Sequence, residues 1–164
     1  MTKTAISRGL VLFAGLLAGY TAADPDERTA ELVVQADPRM LRVKQFFEQR
    51  DCPAHVYADD FIQAADRNDL DWRLLPSLSF IESTGGKKAY NNNMFGWANC
   101  KQRFRSTREG IYTVAANLGT SRIYRAKNID QILRLYNPRR EYAIAVKRVM
   151  TQLGPANLTP QGAF

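Results

Sequence analysis

The sequence predicts a mainly α domain, and three observations carry that prediction. Apolar residues recur at three- and four-residue spacings in successive stretches between residues 38 and 153, which is the period of a helix with one buried face. Start and stop signals bracket those stretches: a cap residue or proline before, a glycine or proline after. Between two of the stretches lies one short loop, NNNMFGW, rich in asparagine and aromatic residues. Six helices and this loop are expected.

The first helix starts at Asp37, a cap residue followed by Pro38 at the first helical position, and buries Met40, Val43 and Phe47. Pro53 opens the second, in which Tyr57, Phe61 and Ala65 repeat at i, i+4 and i+8. A turn over residues 68–71 leads into the third, where Leu74, Leu78 and Ile81 form one face and Leu75 and Phe80 widen it, as in a helix buried on most sides. Ser106-Thr107-Arg108-Glu109 has the form of a capping box ahead of Ile111, Val114, Ala115 and Leu118, with Gly119 as the stop. Glu109 is thereby explained as a helix cap. Asn128 and Gln131 start the fifth helix, with Ile129, Ile132, Leu133 and Tyr136 on one face and Pro138 ending it. The last helix buries Tyr142, Ala145, Val146, Val149 and Leu153 and stops at Gly154-Pro155. The chain shows no internal repeat or low-complexity tract.

One residue breaks the third pattern. Glu82 ends the apolar run, with Gly85 and Gly86 just beyond as the left-handed residues that close a helix. Burial and the negative end of the helix dipole both disfavour the carboxylate and raise its pKa, as a general acid requires. The competing reading is a surface ion pair with Lys87 or Lys88. In the following loop, Asn91, Asn92 and Asn93 supply amides while Tyr90, Phe95 and Trp97 supply flat apolar faces around Gly96. Sugars present hydroxyls at their rims and C–H groups on their faces, so this mixture suits a saccharide cleft. Phe95 and Trp97 could equally be core residues under a turn.

The remaining features concern location and partners. Residues 1–23 carry Lys3 and Arg8, then an apolar run from Leu10 to Leu17, then small residues Thr21, Ala22 and Ala23, the layout of a secretory signal peptide. The uncharged run from Gly9 to Ala23 falls short of the roughly 20 residues that span a bilayer, so a membrane-surface protein with an uncleaved leader is the rival reading and no stable membrane insertion is expected after cleavage. Loss of Lys3 and Arg8 lowers the formal charge from +7 to +5. A basic exported chain suits an anionic wall polymer. The basic residues are scattered rather than clustered with stacking aromatics, so no nucleic-acid partner is expected. Residues 24–36 are expected to form a flexible leader, 37–154 one domain, and 155–164 a loose tail; a monomer without cofactor or metal is expected. In an exported chain the even pair Cys52 and Cys100 reads as a disulfide, closing a loop of about 49 residues worth about 4 kcal/mol in chain entropy. The sharper alternative is a nucleophilic Cys52 with His55 as its base, but no third group is evident. His55 is the one histidine, and one histidine with two cysteines argues against a structural zinc site.

The stretch ES-TGGK followed by NNNMFGW resembles the bacterial glucosaminidase domains of the lysozyme superfamily, the autolysin and flagellar-rod type. FRSTREGIYTVAANL and LYNPRREYAIAVKRVM are similar to that family's next helix and closing Tyr-rich segment, so the likeness covers roughly residues 57–153. It implies a lysozyme-like α+β domain in which a small hairpin or loop faces the acid-bearing helix across a groove. It further implies Glu82 as catalytic acid and Ser83, Tyr90, Asn93, Phe95, Gly96 and Trp97 as substrate-binding. Tyr136-Asn137 resembles the Tyr-Asn motif of lytic transglycosylases, whose tyrosine hydroxyl contacts the acid, which implies Tyr136 as catalytic and Asn137 as substrate-binding; Tyr136 reads equally as a core residue at i+7 from Ile129. The expected activity is cleavage of β-1,4 bonds in peptidoglycan glycan strands, in the periplasm or outside the cell. Residues 83–108 hold no Asp or Glu, where the family often places a second acid. One carboxyl group suffices if the substrate's own N-acetyl group attacks the anomeric carbon, or if the muramic hydroxyl displaces it to leave an anhydro sugar.

Overall fold

The computed structural model describes residues 36–158, so the expected signal peptide, all of the leader but its last residue, and the end of the tail lie outside the described residues. Six α-helices are present among them, and no strand: α1 (Pro38–Glu48), α2 (Ala58–Asp66), α3 (Leu74–Ser83), α4 (Thr107–Thr120), α5 (Ile129–Tyr136) and α6 (Arg140–Leu153). The expected mainly α class holds. Of a hairpin there is only one isolated bridge, between Tyr90 and Asn93; residues 84–106 form an irregular loop.

Cap chemistry explains three of the starts, those of α1, α4 and α5. The Asp37 carboxylate accepts from the Arg39 N–H at 2.8 Å. Ser106 Oγ accepts from the Glu109 N–H at 3.1 Å, and Asn128 with Gln131 closes a full capping box. Pro53 opens a 3-10 turn, Pro53–Tyr57, rather than the α-helix expected there; α2 begins only at Ala58. Gly119 is inside α4, not beyond its end: a Cβ there would collide with the backbone oxygen of Asn68, so glycine allows α4 to touch the turn after α2.

The core runs as an aromatic ladder from α1 to the loop. Phe46 meets Phe47 and Phe80 edge-on at 5.3 and 5.2 Å, Phe47 stacks on Phe61 at 5.9 Å, and Phe61 meets Phe95 edge-on at 6.4 Å. Leu74, Leu75 and Leu78 of α3 are wholly buried, and α3 packs against α6. The start of the tail is docked rather than loose: the Trp72 indole donates to Ala156 O at 3.2 Å, Arg73 donates to Gly154 O at 3.0 Å, and Leu158 packs on the core.

Candidate active site

The end of α3 sets the position of Glu82. Thr84, not Gly85 or Gly86, is the first left-handed residue beyond the helix, at φ 55° and ψ 51°, and its N–H bonds to Phe80 O inside a wider bond from Gly85 N–H to Ser79 O. Both glycines continue the left-handed path. Gly85 lies where a Cβ would meet Cys52 and Phe47 at 2.8 Å, so the chain leaves the helix in contact with α1.

Ser83 then ties helix to loop. Its buried Oγ lies 2.8 Å from Met94 O and 3.1 Å from Ser79 O, and accepts from the Gly86 N–H. The loop is organised from within by Asn93, which is 3 % exposed. Its amide group donates to Trp97 O and Gln102 O and its oxygen accepts from the Trp97 N–H at 2.9 Å. With both donors and its acceptor engaged, Asn93 is a builder of the loop and not a free sugar contact. Phe95, at 0 % exposure, is the loop's anchor in the core. Ser83, Asn93 and Phe95 thus shape the site from behind. Tyr90 stands 70 % exposed at the loop's outer edge, and Asn137 caps the turn before α6 by accepting from the Arg139 N–H.

What this scaffold brings together is Glu82, Gly96 and a group of aromatic rings. One Glu82 oxygen accepts from the Tyr142 hydroxyl at 2.6 Å; the other lies 2.9 Å from where a Cβ on Gly96 would stand. Gly96, at φ 61°, therefore makes room for the acid itself. Tyr142 stacks on Tyr136 at 6.0 Å, Tyr136 meets Trp97 at 5.8 Å, and Trp97 meets Tyr124 at 6.2 Å. Gly96, Trp97, Ile123, Tyr124 and Tyr136 line a cavity of about 340 Å³; Glu82 is not among its lining residues, and Gly96 is the residue that adjoins both.

The tyrosine that touches the acid is Tyr142, not Tyr136. Tyr136 donates instead to Phe95 O at 2.5 Å, pinning the loop backbone next to Gly96. Glu82 makes no ion pair among the described residues, and Lys87 and Lys88 are exposed. Against the expected burial, the Glu82 side chain is exposed; the protein atoms around it still partly desolvate the carboxyl and raise its pKa above the ordinary value, an effect the Tyr142 hydroxyl partly offsets. Burial raises the Tyr136 and Tyr142 hydroxyls as well, and the neighbouring Glu82 adds to it, so both stay protonated as donors. Glu109, by contrast, is held below its ordinary value by the Arg105 guanidinium and N–H, which agrees with a cap.

The expected Cys52–Cys100 disulfide is not formed; both are free thiols. Cys52 is buried against Gly85, its thiol donating to Arg50 O at 3.4 Å, whereas Cys100 is exposed beside Gly96. Burial raises the Cys52 pKa, and His55 faces the Cys52 carbonyl rather than its sulfur, so this pair lacks the geometry of a nucleophile and base. No group of three or more His, Cys, Asp or Glu among the described residues is placed to hold a metal, and no described helix is long and apolar enough to cross a membrane. Comparison with protein-family models, with curated proteins and with solved structures finds no match to this chain.

Proposed function

We propose that this chain is a peptidoglycan glycosidase of lysozyme-like arrangement that cuts β-1,4 bonds of glycan strands in the periplasm or outside the cell, with Glu82 as general acid and then general base. The observation that carries the reading is the Glu82 carboxyl itself: partly desolvated, hydrogen-bonded by Tyr142, without an ion-pair partner among the described residues, and close to Gly96, which lines an aromatic-walled cavity. Desolvation favours the protonated acid at the start of the reaction. The proton passes to the glycosidic oxygen as that bond breaks, and the Tyr142 O–H then stabilises the carboxylate left behind. Trp97 offers a stacking face to a sugar ring. With no Asp or Glu between residues 83 and 108, the second half of the displacement falls to the substrate, through its N-acetyl oxygen, and water activated by Glu82 completes hydrolysis to a reducing N-acetylglucosamine end.

A second reading, a lytic transglycosylase, is favoured by the contact between a tyrosine hydroxyl and the acid. In that case the muramic 6-hydroxyl closes on the anomeric carbon and gives a 1,6-anhydro end. Digestion of purified sacculi followed by mass spectrometry of the released fragments decides between them by the chain ends formed. A protein that releases nothing from any sacculus preparation overturns both and leaves a glycan-binding domain without turnover.

A further inference from the structure

The link from α5 to α6 concentrates positive charge that no acid among the described residues neutralises. It reads Asn137-Pro138-Arg139-Arg140, and Arg134 stands near the end of α5 just before it. Arg134, Arg139 and Arg140 line one cavity of about 420 Å³ whose walls come from both helices, and all three are exposed. None of them joins an ion pair among the described residues. The single acid in the cavity wall, Asp130, is already bonded by Lys147 at 2.9 Å, a contact that ties the start of α5 to the middle of α6.

Two of these arginines stand where the helix opposes them. Arg139 is the cap residue of α6 and Arg140 its first helical residue, at the positive end of the dipole, where acids are favoured and cations repelled. Glu141, the acid of that first turn, is in no ion pair among the described residues. The grouped cations therefore destabilise the empty site, and an anion that enters relieves their repulsion and accepts charge-assisted hydrogen bonds. The guanidinium fork and the number of cations select its chemistry. A phosphate group presents acceptor oxygens in several directions and carries about two negative charges, whereas a carboxylate presents two oxygens in one plane and carries one. The volume is that of a small-molecule site, roughly 300 to 1,000 Å³, so more than a bare ion is admitted. No aromatic side chain lines the cavity, which leaves a nucleic-acid base without a stacking face.

We propose that this cavity binds a phosphate group, carried by a free phosphate ester or by an anionic phospholipid headgroup, with Arg134, Arg139 and Arg140 as its donors. Neither Glu82 nor Tyr142 lines it, so the site stands or falls apart from the glycan reading. A lipid would find one further contact in Leu135, next in sequence to Arg134 and 47 % exposed. The test is titration calorimetry of the full chain with inorganic pyrophosphate, alongside co-sedimentation with vesicles of phosphatidylcholine alone and of equal parts phosphatidylcholine and phosphatidylglycerol. Arg134→Ala/Arg139→Ala/Arg140→Ala should weaken binding at least about tenfold, the loss expected from even one charge-assisted hydrogen bond. In phosphate-free buffer the same variant should melt at an equal or higher temperature than the wild type, since the repulsion at the start of α6 is gone. Arg42→Ala/Lys88→Ala/Arg103→Ala removes the same charge at exposed positions outside the cavity and should leave binding within about twofold of the wild type, because scattered surface charges are screened by salt. Should the triple cavity variant fail to fold, Arg134→Ala alone reads a loss of the same sign. Vesicle binding that requires phosphatidylglycerol and disappears in the cavity variant assigns the phosphate to a lipid; pyrophosphate binding without it assigns a free ester. Equal weakening by the two triple variants marks a diffuse charge effect and overturns the site. Citrate bound as tightly as pyrophosphate, or binding of neither pyrophosphate nor the phosphatidylglycerol vesicles, overturns it as well.

Discussion

At the scale of single residues, the site depends on how closely Gly96 lets the loop approach Glu82. An alanine there would place its Cβ 2.9 Å from the carboxyl oxygen in a left-handed backbone. The conformation alone costs about 1 kcal/mol, and the acid must move. Gly96→Ala is expected to lower the melting temperature by a few degrees and activity by on the order of 100-fold, since misplacement by about an ångström has that effect; a variant with wild-type turnover would show that the acid tolerates displacement. Tyr142→Phe removes the hydrogen bond that favours the carboxylate, so the Glu82 pKa rises further. The alkaline limb of the pH–rate profile, where the general acid loses its proton, should move to higher pH. Trp97→Ala tests the stacking face: chitooligosaccharide affinity should fall about ten- to a hundredfold with the fold intact, and an unchanged dissociation constant would assign Trp97 to packing. These roles were unequally legible. Glu82 was visible as a charge at the end of an apolar run. Tyr136 and Tyr142 both occupy stripe positions of their helices, and a stripe says only which side is buried, not which ring reaches a carboxyl on α3. An asparagine amide looks the same in sequence whether it binds a sugar or a loop carbonyl; only burial distinguishes Asn93.

At the scale of elements, the helices follow from local signals that act over three or four residues, which is why Asp37, Ser106 and Asn128 identify their starts. The departures come from contacts made between elements. Thr84 is the first left-handed residue, Gly85 beyond it has no room for a Cβ against Cys52 and Phe47, and Gly119 is accommodated inside α4 because Asn68 lies against it. The irregular loop has the least redundancy, since it has no ladder and depends on Ser83, Asn93 and Phe95. Asn93→Ala strips the Trp97 N–H and two carbonyls of their partner at a buried position. A loss of roughly 2–3 kcal/mol is expected in denaturant unfolding. Hydrogen exchange should quicken at residues 91–102 before it quickens in α6, and uniform protection across both would show that the loop is held by something else.

At the scale of the whole molecule, apolar periodicity was enough for a mainly α domain, but how α6 and the tail dock on α3 was not readable. Trp72 and Arg73 look like ordinary helix-entry residues until their bonds to Ala156 and Gly154 are seen. The placement of the two cysteines was unreadable for a related reason: an even count carries no information on how far apart two thiols lie, and in the structure Cys52 and Cys100 are not bonded. The fold as a whole holds Glu82 at a cost that depends on pH. Its folded pKa is raised above the 4.5 of an ordinary glutamate, so the native state holds its proton more tightly than the unfolded chain, and stability falls as pH rises through that interval. Glu82→Gln removes this cost, and the variant should melt higher than the wild type at neutral pH, with the gain shrinking as pH falls towards 4.5. The most direct measurement of the central claim applies that substitution to purified sacculi, with soluble muropeptide release and melting temperature read on the same preparations. Release abolished in Glu82→Gln, at an equal or higher melting temperature, is the expected result. Release at the wild-type rate by a folded Glu82→Gln protein would contradict it.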